Sequence, residues 1–192
     1  GAGGSLGDHV RDPGALCARA AGRRPVSGRD RPVKKLSILM VCTANICRSP
    51  MAEGLLLLHA ERGGLGKAIV VQSAGTHVKL GGQRPDARAQ RAAASVGADV
   101  GRMRSRQVQG RDFIRHDLIL GMDAGNRRYL LQACPAEHAH KVALLMDFAP
   151  ETGTAEVPDP YFGNYAGFER VLELLEAGVA GLLRHLQSLN ER

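Results

Sequence analysis

Residues 36–53 read LSILMVCTANICRSPMAE, and the architecture follows from this stretch. The apolar run Leu36–Val41 has the length and β-branched content of a buried strand. Ser49 with Pro50 is a helix-start signal, and Met51–Glu53 and Leu55–Leu58 favour a helix. The loop Cys42–Arg48 is therefore expected between a strand end and a helix N-terminus. Backbone N–H groups in that position have no intrahelical partner, and with the positive end of the helix dipole they form a site for a doubly charged oxyanion without a metal ion. The same field favours thiolate over thiol at Cys42, which makes it a nucleophile. Arg48 adds a planar fork for two oxygens of the anion.

The bare spacing C-x5-R carries little weight in an Arg-rich chain. Cys17 is also followed by an arginine, Arg23, in CARAAGR, yet no apolar strand precedes it and no helix start follows. What singles out Cys42 is the order strand, Cys, a loop holding Asn45, Arg48-Ser49-Pro50, helix.

The chain has 192 residues, enough for one domain with a proper core. Residues 1–34 are rich in Gly, Arg and Pro and lack any sustained period, so they read as a basic, disordered extension ahead of a folded domain at 35–192. Of the formal charge of +7, +5 comes from residues 1–35, leaving a nearly neutral body. Basic charge confined to such an arm, with no Trp in the chain, supports only non-specific attraction to nucleic acid. No apolar stretch approaches the ~20 residues of a membrane span, and no signal-peptide core is evident, so a cytoplasmic location without membrane insertion is expected. Four scattered cysteines do not make a disulfide framework.

Working outward from the loop, a second strand is expected at Ala68–Val71, running into Gln72–Thr76. A helix follows from Pro85-Asp86 to about Ser95, ended by Gly97. A third strand is expected at Asp117–Met122, a helix from Asp123 through Leu131, a fourth strand at Val142–Met146 and a long helix over about Tyr165–Leu189. Alternating strands and helices imply an α/β fold: a three-layer doubly wound sandwich with a four-stranded parallel sheet, the phosphate loop lying between strand 1 and helix 1. Ligands of such sheets bind beyond the C-terminal strand ends, where Cys42 lies.

At VCTANICRSPMAE the chain resembles the phosphate-binding loop of the low-molecular-weight protein tyrosine phosphatases, especially the bacterial members, with Ala44 where a glycine is usual. The resemblance extends from about Lys35 to the C-terminus. It implies hydrolysis of phosphotyrosine in proteins, and of small aryl phosphates, through a phosphocysteine on Cys42, with no cofactor. Thr43, Ala44, Asn45, Ile46, Cys47 and Ser49 would form the phosphate cradle, Asn45 bracing the loop and Ser49 bonding the sulfur. Ser73, in Ser-Ala-Gly-Thr, resembles the serine that supports the loop. Asp159, in Val157–Gly163, falls on the family's Asp-Pro-Tyr loop. A phenol leaving group with pKa about 10 gains from a positioned acid, and Asp159 would supply it. Tyr161 and Phe162 offer faces to the substrate ring. The partner implied is a tyrosine-phosphorylated protein, a bacterial tyrosine kinase being one such protein.

Several positions leave two readings open. Cys47 is either a reversible disulfide partner that shields Cys42, as the resemblance implies, or a small packing residue. Arg102, Arg104 and Arg106 make either a basic rim or a solvated charge run. The resemblance places a substrate wall at His77, Val78 and Lys79, where no Phe, Tyr or Trp is present, and an inward-bonding His near Met103. Met122-Asp123 and Asn126 read as capping and packing residues. Three rival functions can be stated. Arsenate reduction wants a downstream cysteine pair, which Cys17, Cys47 and Cys134 do not supply. In phosphoarginine hydrolysis a Thr usually stands where Ile46 is. A phosphotyrosine-binding module would not need Cys42, Arg48 and Asp159 together.

Overall fold

The computed structural model describes residues 35–190; the basic segment 1–34, including the Cys17–Arg23 pair, lies outside the described residues. Strand β1 spans Leu36–Cys42, and Ile38, Leu39, Met40 and Val41 are fully buried. Ile38, Met40 and Cys42 belong to one core cluster, Leu39 and Val41 to another. Both faces are covered, which is why the sequence shows a continuous apolar run rather than alternation.

The other strands are β2 (Ile69–Gly75), β3 (Leu118–Gly121) and β4 (Val142–Leu144). They form one sheet in the order β2-β1-β3-β4, parallel throughout, with Cys42 opposite Gly75 and Val41 opposite Gly121. The helices are α1 (Arg48–Arg62), α2 (Ala87–Ser95), α3 (Gly110–Arg115), α4 (Ala124–Ala133) and α5 (Tyr165–Asn190). The larger core cluster packs α1, α2 and α5 over one face through residues such as Met51, Leu55, Ala92, Phe168 and Leu175. Phe113 of α3 and Leu130 of α4 cover the other face. The doubly wound three-layer arrangement is the expected one. From β1 the chain goes to one side for β2 and then crosses to the other for β3, so the switch point lies between β1 and β3, beside the end of β1 that carries Cys42.

Three details differ from the sequence expectation. β4 stops at Leu144 rather than Met146, because Leu145–Phe148 tightens into a 3-10 turn in which Asp147 accepts from the Leu144 N–H at 3.0 Å. The short helix α3, at whose start Asp112 Oδ2 accepts from Gln109 N–H at 2.8 Å, was not expected. Helix α1 begins at Arg48 after Cys47, with no side-chain cap; the Ser49 hydroxyl, which looked like a helix-start signal, is spent on the loop. No helix among the described residues is long and apolar enough to cross a membrane.

Candidate active site

β1 delivers Cys42 to the C-terminal edge of the sheet, and the chain then turns through Thr43–Cys47 into α1. The turn is held from outside through its carbonyls: Thr76 N–H donates to Cys42 O at 2.9 Å, His77 N–H to Thr43 O at 2.8 Å, and Asp86 N–H to Ile46 O at 2.8 Å. Gly75 makes this approach possible, since a Cβ there would lie 2.6 Å from Thr43 O and 3.0 Å from Asn45 N.

Asn45 adopts φ 56°, the left-handed region that Asn tolerates better than most residues. Its amide donates to Ser49 Oγ and to Ser73 Oγ, both at 2.9 Å, and its carbonyl oxygen accepts from Arg106 N–H at 2.9 Å. All hydrogen-bonding sites of this buried side chain but one lone pair are in use. Ser49 Oγ, having accepted from Asn45, lies 3.0 Å from Cys42 Sγ and 3.3 Å from Ala74 O. Either sulfur or oxygen can donate in the first contact, while the hydroxyl donates in the second. Behind Ser73, burial pushes the Glu53 carboxyl up, while Ser73 and Arg106 draw it back.

Arg48 is buried, and its fork is filled from both sides. Nη1 donates to Asp123 Oδ2 at 2.6 Å and to Val157 O at 3.0 Å; Nη2 donates to Asp159 Oδ2 at 3.0 Å and to Thr43 Oγ1 at 3.3 Å. Burial works against the charge, but Cys42, Asp123 and Asp159 outweigh it and raise the guanidinium pKa. Thr43 Oγ1 also accepts from Asn126 Nδ2 at 3.3 Å. Cys42 and Cys47 are both free thiols, and both are buried. Burial above all, then Asp86, pushes the Cys47 thiol far up. Tyr161 is 44% exposed and Phe162 96% exposed, their rings meeting edge to face at 5.0 Å.

The sequence model of the low molecular weight phosphotyrosine protein phosphatases matches residues 37–192. The chain belongs to that family. It is 42% identical over 149 residues to a low molecular weight protein-tyrosine-phosphatase of Streptomyces coelicolor, covering 76% of this chain and 90% of the relative. The crystal structure of a protein tyrosine phosphatase from Entamoeba histolytica superposes with a TM-score of 0.77 at 36% identity, over 80% of this chain and 98% of that one. An arginine phosphatase captured with a phosphorylated active-site serine gives a TM-score of 0.71 at 27% identity, over 79% and 96% of the two chains.

In this phosphatase the loop residues, Ser73 and Asp159 come together as one constellation. Asp123 is more than the cap it was read as. Its Oδ1 does cap α4, accepting from Asn126 N–H at 2.7 Å, but its Oδ2 anchors Arg48. The clue was available: Asp123 stands just past β3, at the switch point. Asn126 likewise touches the loop. Met103 packs against the larger core cluster, in place of the inward hydrogen bond the resemblance suggested. Arg106 makes a two-pronged ion pair with Asp112 at 2.8 and 3.1 Å, which takes it out of any basic rim, while exposed Arg104 folds back onto Met103 O at 2.8 Å. Beside His77 the ring comes from α4, Tyr129 lying 5.0 Å away edge-on. Among the described residues no group of three or more His, Cys, Asp or Glu side chains could hold a metal ion.

Proposed function

We propose that this chain hydrolyses phosphotyrosine in proteins, and small aryl phosphates, with residues 35–192 as the catalytic unit. The observation that carries the reading is the fork of Arg48, which reaches from the mouth of the Cys42 loop to the carboxylate of Asp159. With three loop carbonyls taken up by outside N–H groups, the loop amides are left for the phosphoryl oxygens, and Arg48 neutralises the charge that spreads over them. Cys42 sulfur attacks phosphorus in line; the S–P bond forms as the P–O bond to the phenol oxygen breaks, and Asp159 gives that oxygen its proton. Water then attacks the phosphocysteine, Asp159 takes its proton, and phosphate and the free cysteine are regenerated. Thr43, Ala44, Asn45, Ile46, Cys47 and Ser49 shape the cradle, Ser73 supports it, and Tyr161 and Phe162 flank the ring.

The second reading, phosphoarginine hydrolysis, draws on the arginine phosphatase among the structural neighbours. Ile46 speaks against it, because a larger apolar side chain in the loop, half-buried against the core, suits a flat aryl ring better than a charged guanidinium. The partner is a tyrosine-phosphorylated protein, a bacterial tyrosine kinase being one candidate. A reducing cytoplasm suits a pair of thiols kept free, with Cys47 able to close a reversible disulfide on Cys42. Phosphate release from matched phosphotyrosine, phosphoserine and phosphoarginine peptides tests the proposal. Phosphotyrosine is expected to lead by orders of magnitude and Cys42→Ser to abolish turnover; a lead for phosphoarginine, or retained turnover in Cys42→Ser, overturns it.

A further inference from the structure

Arg88, at the start of α2, touches neither Cys42 nor Arg48, yet its guanidinium joins the two loops of the site. On one side it is fixed to Asp86, with Nε to Oδ1 at 3.0 Å and Nη2 to Oδ2 at 2.9 Å. Asp86 in turn caps α2 by accepting from Arg88 N–H at 2.8 Å, and its own N–H holds Ile46 O of the phosphate loop. On the other side Nη1 donates to Gly163 O at 2.9 Å and Nη2 to Tyr161 O at 3.1 Å. The plane sits 4.5 Å over the ring of buried Phe168, at the start of α5.

Tyr161 is the link to the chemistry. Its N–H donates to Asp159 Oδ1 at 3.1 Å, while Asp159 Oδ2 faces Arg48. The turn that carries the carboxylate is therefore gripped at Val157 by Arg48 and at Tyr161 and Gly163 by Arg88. Pro160 stiffens the chain between them but contributes no N–H. The fork makes four bonds from one rigid plane, to both carboxylate oxygens and to two carbonyls; an ammonium has only three donors, set on a tetrahedron.

We propose that Arg88 is a positioning residue for proton transfer: through Tyr161 it aims Asp159 at the leaving oxygen and ties that aim to the phosphate loop through Asp86. This rests on the assignment of Asp159 as the acid. The consequence is selective. Substrates whose leaving group needs a proton depend on Arg88, and those whose leaving group departs as a stable anion do not.

The test compares kcat/KM for phenyl phosphate and 2,4-dinitrophenyl phosphate, a ratio that reports the steps up to phenol release. The variants are Arg88→Met, which keeps the stem over Phe168, Arg88→Lys and Asp159→Asn. Arg88→Met is expected to lower kcat/KM for phenyl phosphate about 10- to 100-fold, and to leave the dinitrophenyl ester within about 3-fold, a ratio set by loss of proton donation alone. Arg88→Lys should fall between wild type and Arg88→Met. In an Asp159→Asn background Arg88→Met should add no further loss on phenyl phosphate. An equal loss on both esters in whichever Arg88 variant folds overturns the proposal, as does a leaving-group split in Asp159→Asn but not in Arg88→Met. Absence of the split in Asp159→Asn itself sinks the acid assignment and this proposal with it.

Discussion

Arg48 Nη2 lies 3.0 Å from Asp159 Oδ2, so the proposed anion clamp is paired with the proposed acid. The two halves of the fork are not equivalent. The Asp123 side chain is 23% exposed and bonds at 2.6 Å, whereas that of Asp159 is 46% exposed and bonds at 3.0 Å. On the proposed mechanism Nη2 is thus the half that a phosphoryl oxygen would claim, at the expense of the more solvated partner, which would release Asp159 towards the leaving oxygen. Removing its charge should make the clamp a better anion site. Asp159→Asn is expected to bind inorganic phosphate about 2- to 5-fold more tightly, the range of a solvent-screened ion pair worth ~1 kcal/mol or less. Competitive inhibition by phosphate, or calorimetry, measures this, and weaker binding in the variant contradicts the competition.

Asp123 has two jobs on two oxygens, and they can be separated. Asparagine is as good an N-cap as aspartate, but with its oxygen turned to cap α4 its other terminus is an NH2, which cannot accept from Arg48. Asp123→Asn should keep the helix cap and loosen Arg48, lowering kcat/KM about 10- to 100-fold as the fork drifts. Its stability should drop less than that of Asp123→Ala, which also loses a cap worth about 1 kcal/mol. Chemical denaturation run beside kinetics separates the two; equal stability in both variants would mean the cap contributes nothing.

The core of the proposed site was legible because its parts are contiguous: a strand, the proposed nucleophile Cys42, the brace Asn45, the proposed clamp Arg48 and a helix follow one another from Leu36 to Glu53. Asp159 was legible through the resemblance of Val157–Gly163 to the family's Asp-Pro-Tyr loop, since an Asp-Pro pair by itself reads as a turn. Arg88 was not, since its acceptors Tyr161 and Gly163 lie 73 and 75 residues away and are backbone carbonyls, which carry no side-chain signature. Arg106 was missed as a loop support for the same reason: it acts on Asn45 through its N–H. The presence of Ala44 where a glycine is usual has a structural answer. The positive φ of the loop falls on Asn45, so a methyl group at position 44 meets no left-handed strain.

That placement makes Asn45 vulnerable in two separable ways. Asn45→Ala removes the bonds to Ser49, Ser73 and Arg106 N–H and puts an alanine at φ 56°. Asn45→Gly removes the same bonds without the conformational cost, about 1–2 kcal/mol for an L-residue. Both should lose activity by about 10-fold or more, since Ser49 and the cradle shift together, and Asn45→Gly should be the more stable of the two by about 1 kcal/mol. Urea unfolding of both variants measures the gap. A less stable glycine variant would show that the entropy it adds to the unfolded chain exceeds the strain relieved.

Cys47 gives a pH signature whose sign follows from its burial. Its thiol is pushed up chiefly by desolvation, with Asp86, Cys42 and Asp159 adding to it and Arg88 opposing. Below the ordinary thiol range, about pH 8.5, folded and unfolded chains both hold the proton and this group adds no pH dependence. Above it the unfolded chain releases the proton and the folded chain keeps it, so stability is lost as pH rises, at about 1.4 kcal/mol per pH unit. Cys47→Ala removes the titrating group, and its stability relative to wild type should improve by about 1 kcal/mol between pH 8 and 9.5. The comparison isolates Cys47, because the lysines and tyrosines that also titrate there are common to both proteins. A constant difference across that window would mean the buried thiol ionises as readily in the folded chain as in the unfolded one. The same protonation makes Cys47 the less readily oxidised of the two thiols near neutral pH.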